Sequence, residues 1–589
     1  MALIKYGART FVAFIFLVIG WHMANTHVSA QTFGQEFLAS EEFAQVDGNG
    51  VDVTSGMLNV RTPALSAGEN VKFYFSWNGR LWRPNVPALW GSDADNGWIV
   101  EYNGESEVFA APFNPYICSL SLPGYCGGLV SATHYRPNVG SKLVCASYYN
   151  FVGIAYCDYE SRHGVKIRFQ GIRSSFPASA RVGDYLSYGN TFSSPISVDD
   201  PGYGITKYSP ITAGNVSNGG VVSISYPNGY RISTQGKYNS SFVTFTLSND
   251  SITNSVAQTL RILTPNANPS KTNNSYNYPK SVIQTVTDQL GGNWTYQFDS
   301  NRNMVRFVDA TGVAFNLTYD GSKRVKTFGS AVGTWYYTYQ DSTTTYVTDP
   351  SGNRKTYKFI KKKGNITEYR DELNRLTKFS YDQYGRITSK TLPEGNGYSY
   401  VYDGRGNMTQ VMATAKPFTG EAAVVERAEF AATCVSQIIC NKPLARIDEQ
   451  GSRTDFTYDA VFGTTIKQTL PAARPSEPRP EARSQYALRY AWVSDGFGGF
   501  RRSDLPLILL VRQSLCRTTA STGSGCVGGA ADEIVTDYDY GPDSGPNNLL
   551  LRGTAVTSNG ETLRTCYQYD GYGRKIAEAQ PAANLGVCP

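Results

Sequence analysis

The feature that most limits what this chain can fold into is an aromatic mark that returns every 20 to 22 residues. Phe298, Tyr319, Tyr339, Phe359, Tyr381 and Tyr402 stand 21, 20, 20, 22 and 21 residues apart. A second mark stands ten residues upstream of several of them, at Asp288, Asp309, Asp349 and Asp371, and Asp448 precedes Tyr458 by the same ten. Four of these aspartates open Asp-x-x-Gly, ending at Gly291, Gly312, Gly352 and Gly451; Asp371 has Asn374 instead. This is turn chemistry, because Asp bonds its own backbone two residues on and Gly or Asn accepts positive φ. Between the turns aromatics alternate, as in Trp335/Tyr337/Tyr339 and Tyr398/Tyr400/Tyr402. Period two marks strands with a half-buried face. Each unit therefore reads as two short strands and two turns. Stacked units make one antiparallel ribbon, which must curl or close to bury its aromatic face.

The fullest copies are Tyr381-Asp382-Gln383-Tyr384-Gly385-Arg386, Tyr402-Asp403-Gly404-Arg405-Gly406-Asn407 and Tyr569-Asp570-Gly571-Tyr572-Gly573-Arg574. They resemble the YD-repeat family, also called Rhs repeats, from about Ser281 onward. The resemblance implies an all-β fold: a repeat-built antiparallel β-sheet, a spiral forming a partial shell, preceded by β-rich N-terminal domains. Bacterial members enclose a C-terminal toxin in such a shell, and animal relatives display it at the cell surface. The resemblance implies no catalysis by the repeats. Family shells close with an Asp-Pro-containing segment, but Asp349-Pro350 is an ordinary repeat turn here. The few units and the unfinished last one predict an open sheet with an exposed final edge. The partner this calls for is a separately encoded C-terminal shell half or a cargo.

Residues 1–30 read as a secretory signal peptide. Lys5 and Arg9 precede the apolar run Phe11–Ile19, and Val28-Ser29-Ala30 forms a small-residue cleavage site before Gln31. A membrane span needs about 20 apolar residues, more than this run offers. No later run is long enough to span a bilayer, so the chain is expected to be secreted or at the cell surface. Losing Lys5 and Arg9 lowers the formal charge from +6 to +4, too little to argue for nucleic acid. Ten cysteines remain, and in an exported chain an even set favours disulfides. Nearest-neighbour pairing joins Cys118 with Cys126, Cys145 with Cys157, Cys434 with Cys440, Cys516 with Cys526 and Cys566 with Cys588, although sequence does not fix connectivity. Zinc is disfavoured because there is no Cys-x-x-Cys and only His134 and His163 follow the leader.

The remaining organisation is read as 31–158, an N-terminal β-rich domain with disulfides; 159–280, a second β-rich segment; 281–411, repeats; 412–446, an insertion; 447–471, a repeat; 472–532, a Pro/Gly-rich insertion; and 533–589, a terminal repeat. The 159–280 segment fits a β-sandwich or an extension of the main sheet. Trp82, Trp90 and Trp98 form either a core or a sugar-stacking platform. Phe418–Ala432 reads as a short helix or an irregular strand pair. Each insertion holds a cysteine pair and reads as a stapled surface loop.

Catalytic, metal and cofactor residues are not assigned. Neither histidine sits in a nucleophile motif, and no phosphate loop or dinucleotide fingerprint occurs. A glycoside hydrolase needs only two carboxylates, but the acids here fall mostly in repeated turns. Three readings follow: a structural shell, an adhesion or glycan-binding protein meeting cell-surface glycans or proteins, and a carbohydrate-active enzyme. N-terminal sequencing of the exported chain should begin at Gln31; a secreted product that keeps residues 1–30 would refute the leader.

Overall fold

The computed structural model describes residues 45–588 apart from internal segments, the longest being 111–128, 174–191, 211–220 and 264–283. The expected leader, residues 1–30, lies outside the described residues. So do Cys118 and Cys126, and the disulfide expected between them is therefore not placed by the structure.

Almost every described element is a strand. From Pro195–Asp200 onward, each strand pairs antiparallel with the next in the chain, as far as Lys575–Ala583. The 159–280 segment is therefore an extension of the main sheet and not a sandwich. Upstream, Lys142–Ser147, Gly153–Glu160 and Lys166–Arg173 continue the same sheet. Ala88–Ser92, Gly97–Tyr102 and Glu105–Ala110 form a meander that joins it through Leu129–His134. The boundary expected at 158 thus falls inside a strand. Phe418–Ala432 contributes the strand Val424–Glu429, and its helix alternative is not formed; a single helical turn occurs later, at Gln437–Cys440.

The sheet closes into a barrel, which corrects the expected open ribbon. Strand twist accumulates from neighbour to neighbour, so a ribbon this long returns to its own start. Gly204–Pro210 meets Phe500–Cys516 at the pair Gly204↔Leu507, and the Ile508 amide donates to the Tyr203 carbonyl at 3.1 Å. The second insertion makes this possible. It is not a surface loop: its centre is the hairpin Glu481–Ser494/Phe500–Cys516, with strands of 14 and 17 residues. These far outrun the five-residue neighbour Thr465–Thr469, and the overhang reaches across to residue 204. A Cβ on Gly204, at φ +139°, would sit 2.4 Å from the Pro506 carbonyl oxygen.

The main core lies where the N-terminal segment covers one face of the repeats. Val51, Val53 and Leu58 are fully buried there, against Val325, Tyr337 and Val347 among others. Trp77 packs on Phe298 with ring centroids 5.1 Å apart, and Trp82 on Tyr296 at 4.9 Å. Trp82 is thus core. Trp98 is partly buried in a second cluster around Phe109 and Phe169; the Trp90 side chain lies outside the described residues. Polar pins fix the register of the cover. The Thr345 hydroxyl donates to the Val53 carbonyl at 2.7 Å, and the Tyr337 hydroxyl donates to Asp47 at 2.6 Å. Burial pushes the Asp47 carboxyl above its ordinary range, against the lowering effect of the Tyr337 bond.

Replacing Gly204 with Val should disrupt the closure. Backbone strain and the carbonyl clash together should cost about 1–3 kcal/mol in urea unfolding, with new protease cutting near 203–208. An unchanged midpoint and an unchanged digest would show that the closure carries no stability.

Candidate functional site

The signature residues form a ladder in which each has one structural task. Asp382 shows the turn. Its Oδ1 accepts the amides of Tyr384 and Arg386, both at 2.9 Å, and its Oδ2 accepts Arg386 Nε at 2.6 Å. The Gly385 amide returns to the Asp382 carbonyl at 3.0 Å, with Gly385 at φ +81°. Asp403 repeats this with Arg405 and Asn407, the Asn407 amide group replacing the guanidinium on Oδ2. Asp570 holds Arg574 in the same way. Burial raises the Asp382 carboxyl, but the backbone and guanidinium hydrogen bonds of Arg386 outweigh it and hold the group below the usual carboxylate range.

The tyrosine does a second task, joining one unit to the one before. Tyr402 donates its hydroxyl to the Ile387 carbonyl at 2.8 Å, and Tyr381 to Ile366 at 2.7 Å. Tyr319 and Tyr458 make the same bond to carbonyls fifteen residues upstream, and Tyr339 to one fourteen upstream. The 21-residue period is therefore a clamp of fifteen residues plus a six-residue turn, such as Tyr381 to Ile387. The Arg386 guanidinium lies 4.6 Å over the Tyr402 ring, and Arg324 lies 4.1 Å over Tyr339. Each of these turn arginines thus pairs with its own aspartate and stacks on the next tyrosine. Tyr569 closes the last unit on the Leu551 carbonyl at 2.7 Å, and burial pushes its hydroxyl up to about 12. Its proton stays available for the bond throughout the neutral range.

Two members of the ladder escape the repeat spacing. The hairpin tip Asp495-Gly496-Phe497-Gly498-Gly499 is the same turn, with Oδ1 accepting the amides of Phe497 and Gly499. Its Asp-x-x-Gly signal is present in the sequence but sits inside a Pro/Gly-rich insertion. Tyr540 clamps Leu510 across thirty residues, because the stapled Cys516–Cys526 loop lies between them. Cys145–Cys157, Cys434–Cys440 and Cys566–Cys588 are also bonded. Four of the five expected pairs are thus in place, and Cys118 and Cys126 are the pair that the described residues do not include.

This geometry leaves the repeat aspartates little freedom for acid–base work. Asp288, Asp309, Asp349, Asp371 and Asp448 each spend one oxygen on two backbone amides. His163 is half-buried in the turn after Gly153–Glu160. Burial, then Arg162 and Lys442, pull its pKa down to about 3, so it is neutral at physiological pH. The side chain of His134 is outside the described residues. Among the described residues, no group of three or more His, Cys, Asp or Glu could hold a metal ion, and no helix is long and apolar enough to cross a membrane.

Residues 362–396 and 381–416 match the RHS Repeat family model, so this stretch is RHS repeat. No curated protein matches the chain. Among solved structures, it is similar to a crystal structure of TcdB2-TccC3-Cdc42, with 11% identity and a TM-score of 0.32 over 80% of this chain and 24% of that one. It is also similar to a Photorhabdus luminescens Tc holotoxin pore, with 12% identity and a TM-score of 0.31 over 87% and 28%. The chain spans about a quarter of the length of those chains.

Tyr402→Phe removes one clamp and leaves the Ile387 carbonyl without that donor. Unfolding in urea should show a loss of about 1–2 kcal/mol. Tyr398→Phe, on a ring that is 40% exposed, should fall within about 0.5 kcal/mol. Equal effects would refute the clamp.

Proposed function

We propose that this chain is an exported, non-catalytic structural protein whose repeats build a β-shell wall that encloses a toxin-like cargo or serves cell contact. The observation that carries this reading is the use of the signature side chains: Asp382, Arg386 and Tyr402 are committed to one another and to backbone, in a sheet that closes on itself. A repeat built for chemistry would leave some of those groups facing a substrate. The RHS match over 362–416 supports the same reading. Its partner would be a separately encoded shell half or a cargo polypeptide. The glycan-binding alternative loses Trp82 from its platform, since that ring is 7% exposed in the core.

The test is co-expression of the full chain with the polypeptide encoded downstream, followed by purification and protease challenge. The expected result is a co-purifying polypeptide that resists protease until the shell is unfolded. No co-purification, together with saturable binding on a glycan array, would overturn the shell reading in favour of adhesion.

A further inference from the structure

The first insertion is docked, not a free surface loop. Residues 430–443 replace a six-residue turn between Val424–Glu429 and Ala445–Ile447. Cys434–Cys440 staples them around the single helical turn Gln437–Cys440. One turn of helix has no stability of its own, so its shape depends on the staple and on what it touches.

What it touches lies far away in sequence. Gln437 Nε2 donates to the Gly140 carbonyl at 2.5 Å, and Asn441 Nδ2 to the Arg162 carbonyl at 2.6 Å, spans of 297 and 279 residues. Ile438 packs so tightly over Gly164 that a Cβ there would come within 2.6 Å of it. From the repeat side, Arg405 donates to the Ala431 and Cys440 carbonyls, and Arg162 Nη2 reaches Asn407 Oδ1 at 2.5 Å. The stapled loop thus bolts the hairpin Gly153–Glu160/Lys166–Arg173 to the repeat turn at 403–407, with the half-buried His163 between its contacts at Arg162 and Gly164. The staple is also reachable. Cys434 is exposed while Cys440 is 2% exposed; Cys145, Cys157, Cys516, Cys526 and Cys566 are all buried, and Cys588 is half-buried.

We propose that Cys434–Cys440 is a redox latch on this seam of the wall, opened by a small dithiol or dithiol protein. A thiolate of the dithiol attacks the exposed Cys434 sulfur, and Cys440 leaves as a thiolate that takes up a proton. The second thiol of the dithiol then displaces Cys434, and the reductant departs as its disulfide, having passed two electrons and two protons to the chain. The freed loop loses the shape that presents Gln437, Ile438 and Asn441, and the seam over His163 opens. That opening would release a cargo only if the shell reading holds; the latch itself does not need it.

The chain contains four histidines, and mass spectrometry reads His163 on a peptide apart from the other three. Dithiothreitol titration, with alkylation of freed cysteines and diethyl pyrocarbonate labelling of histidine, should be followed by mass spectrometry. Cys434 and Cys440 should be alkylated first, and His163 labelling should rise in step by roughly threefold or more, as for local opening of a half-buried site. Cys434→Ser/Cys440→Ser should label at the reduced rate without reductant, whereas Cys516→Ser/Cys526→Ser should not. His163 staying protected after Cys434 and Cys440 are alkylated would overturn the latch, as would exposure only after the other pairs open. Neither result bears on whether a cargo exists.

Discussion

The bond on which the architecture rests is the one from a tyrosine hydroxyl to a carbonyl of the preceding unit. An isolated hairpin is marginal in water, and backbone ladders join each hairpin to the next. The Tyr402–Ile387 clamp ties the ends of two such strands beyond their short ladder, and Arg386 strengthens the joint by stacking on the same ring. A phenylalanine would fill the space but leave a half-buried carbonyl without its donor. This accounts for tyrosine in the fuller copies, while Phe298 and Phe359 occupy the corresponding place without the bond.

The clamp also divides each unit into a constrained part and a free part. The span between acceptor and hydroxyl is held to fourteen or fifteen residues from Tyr319 to Tyr458 and widens to eighteen at Tyr569, since it must return to the same level of the sheet. The turn outside that span is not so bound. The first insertion occupies such a turn and grows into the docked loop at 430–443, while the clamp from Tyr458 to Pro443 resumes directly after it. The Cys516–Cys526 loop lies inside the thirty-residue span from Leu510 to Tyr540, and there the staple folds the extra residues out of the way.

These features are legible in sequence to different degrees. The repeat strands and turns are, because each depends on residues within a few positions of one another: Asp382 with Gly385 and Arg386, Tyr400 with Tyr402. Four local cysteine pairs are legible for the same reason. The closure is not, because Gly204 and Leu507 meet through accumulated twist, which leaves no periodic trace. The 481–516 hairpin is hidden by the Pro-rich and Gly-rich residues at its ends, although Asp495 carries the same turn signal as the repeats. The dock of Asn441 on Arg162 joins groups 279 residues apart through a carbonyl, an acceptor every residue type presents equally. The N-terminal cover reads as a domain in its own right because its strands look self-contained, yet Val51 and Val53 find their partners on the repeats.

The closure at Gly204 has a mechanical consequence. Neighbouring repeat strands are joined by three to six registered pairs, whereas Gly204–Pro210 and Phe500–Cys516 share one, and Phe192–Ser193 meets Ala88–Ser92 through two. Hoop tension in a cylinder is the same at every point around its circumference, so failure begins at the weakest joint. Swelling from within, or a pull at either rim, would part the wall along the line between Gly204 and Leu507 and leave the clamped staves whole.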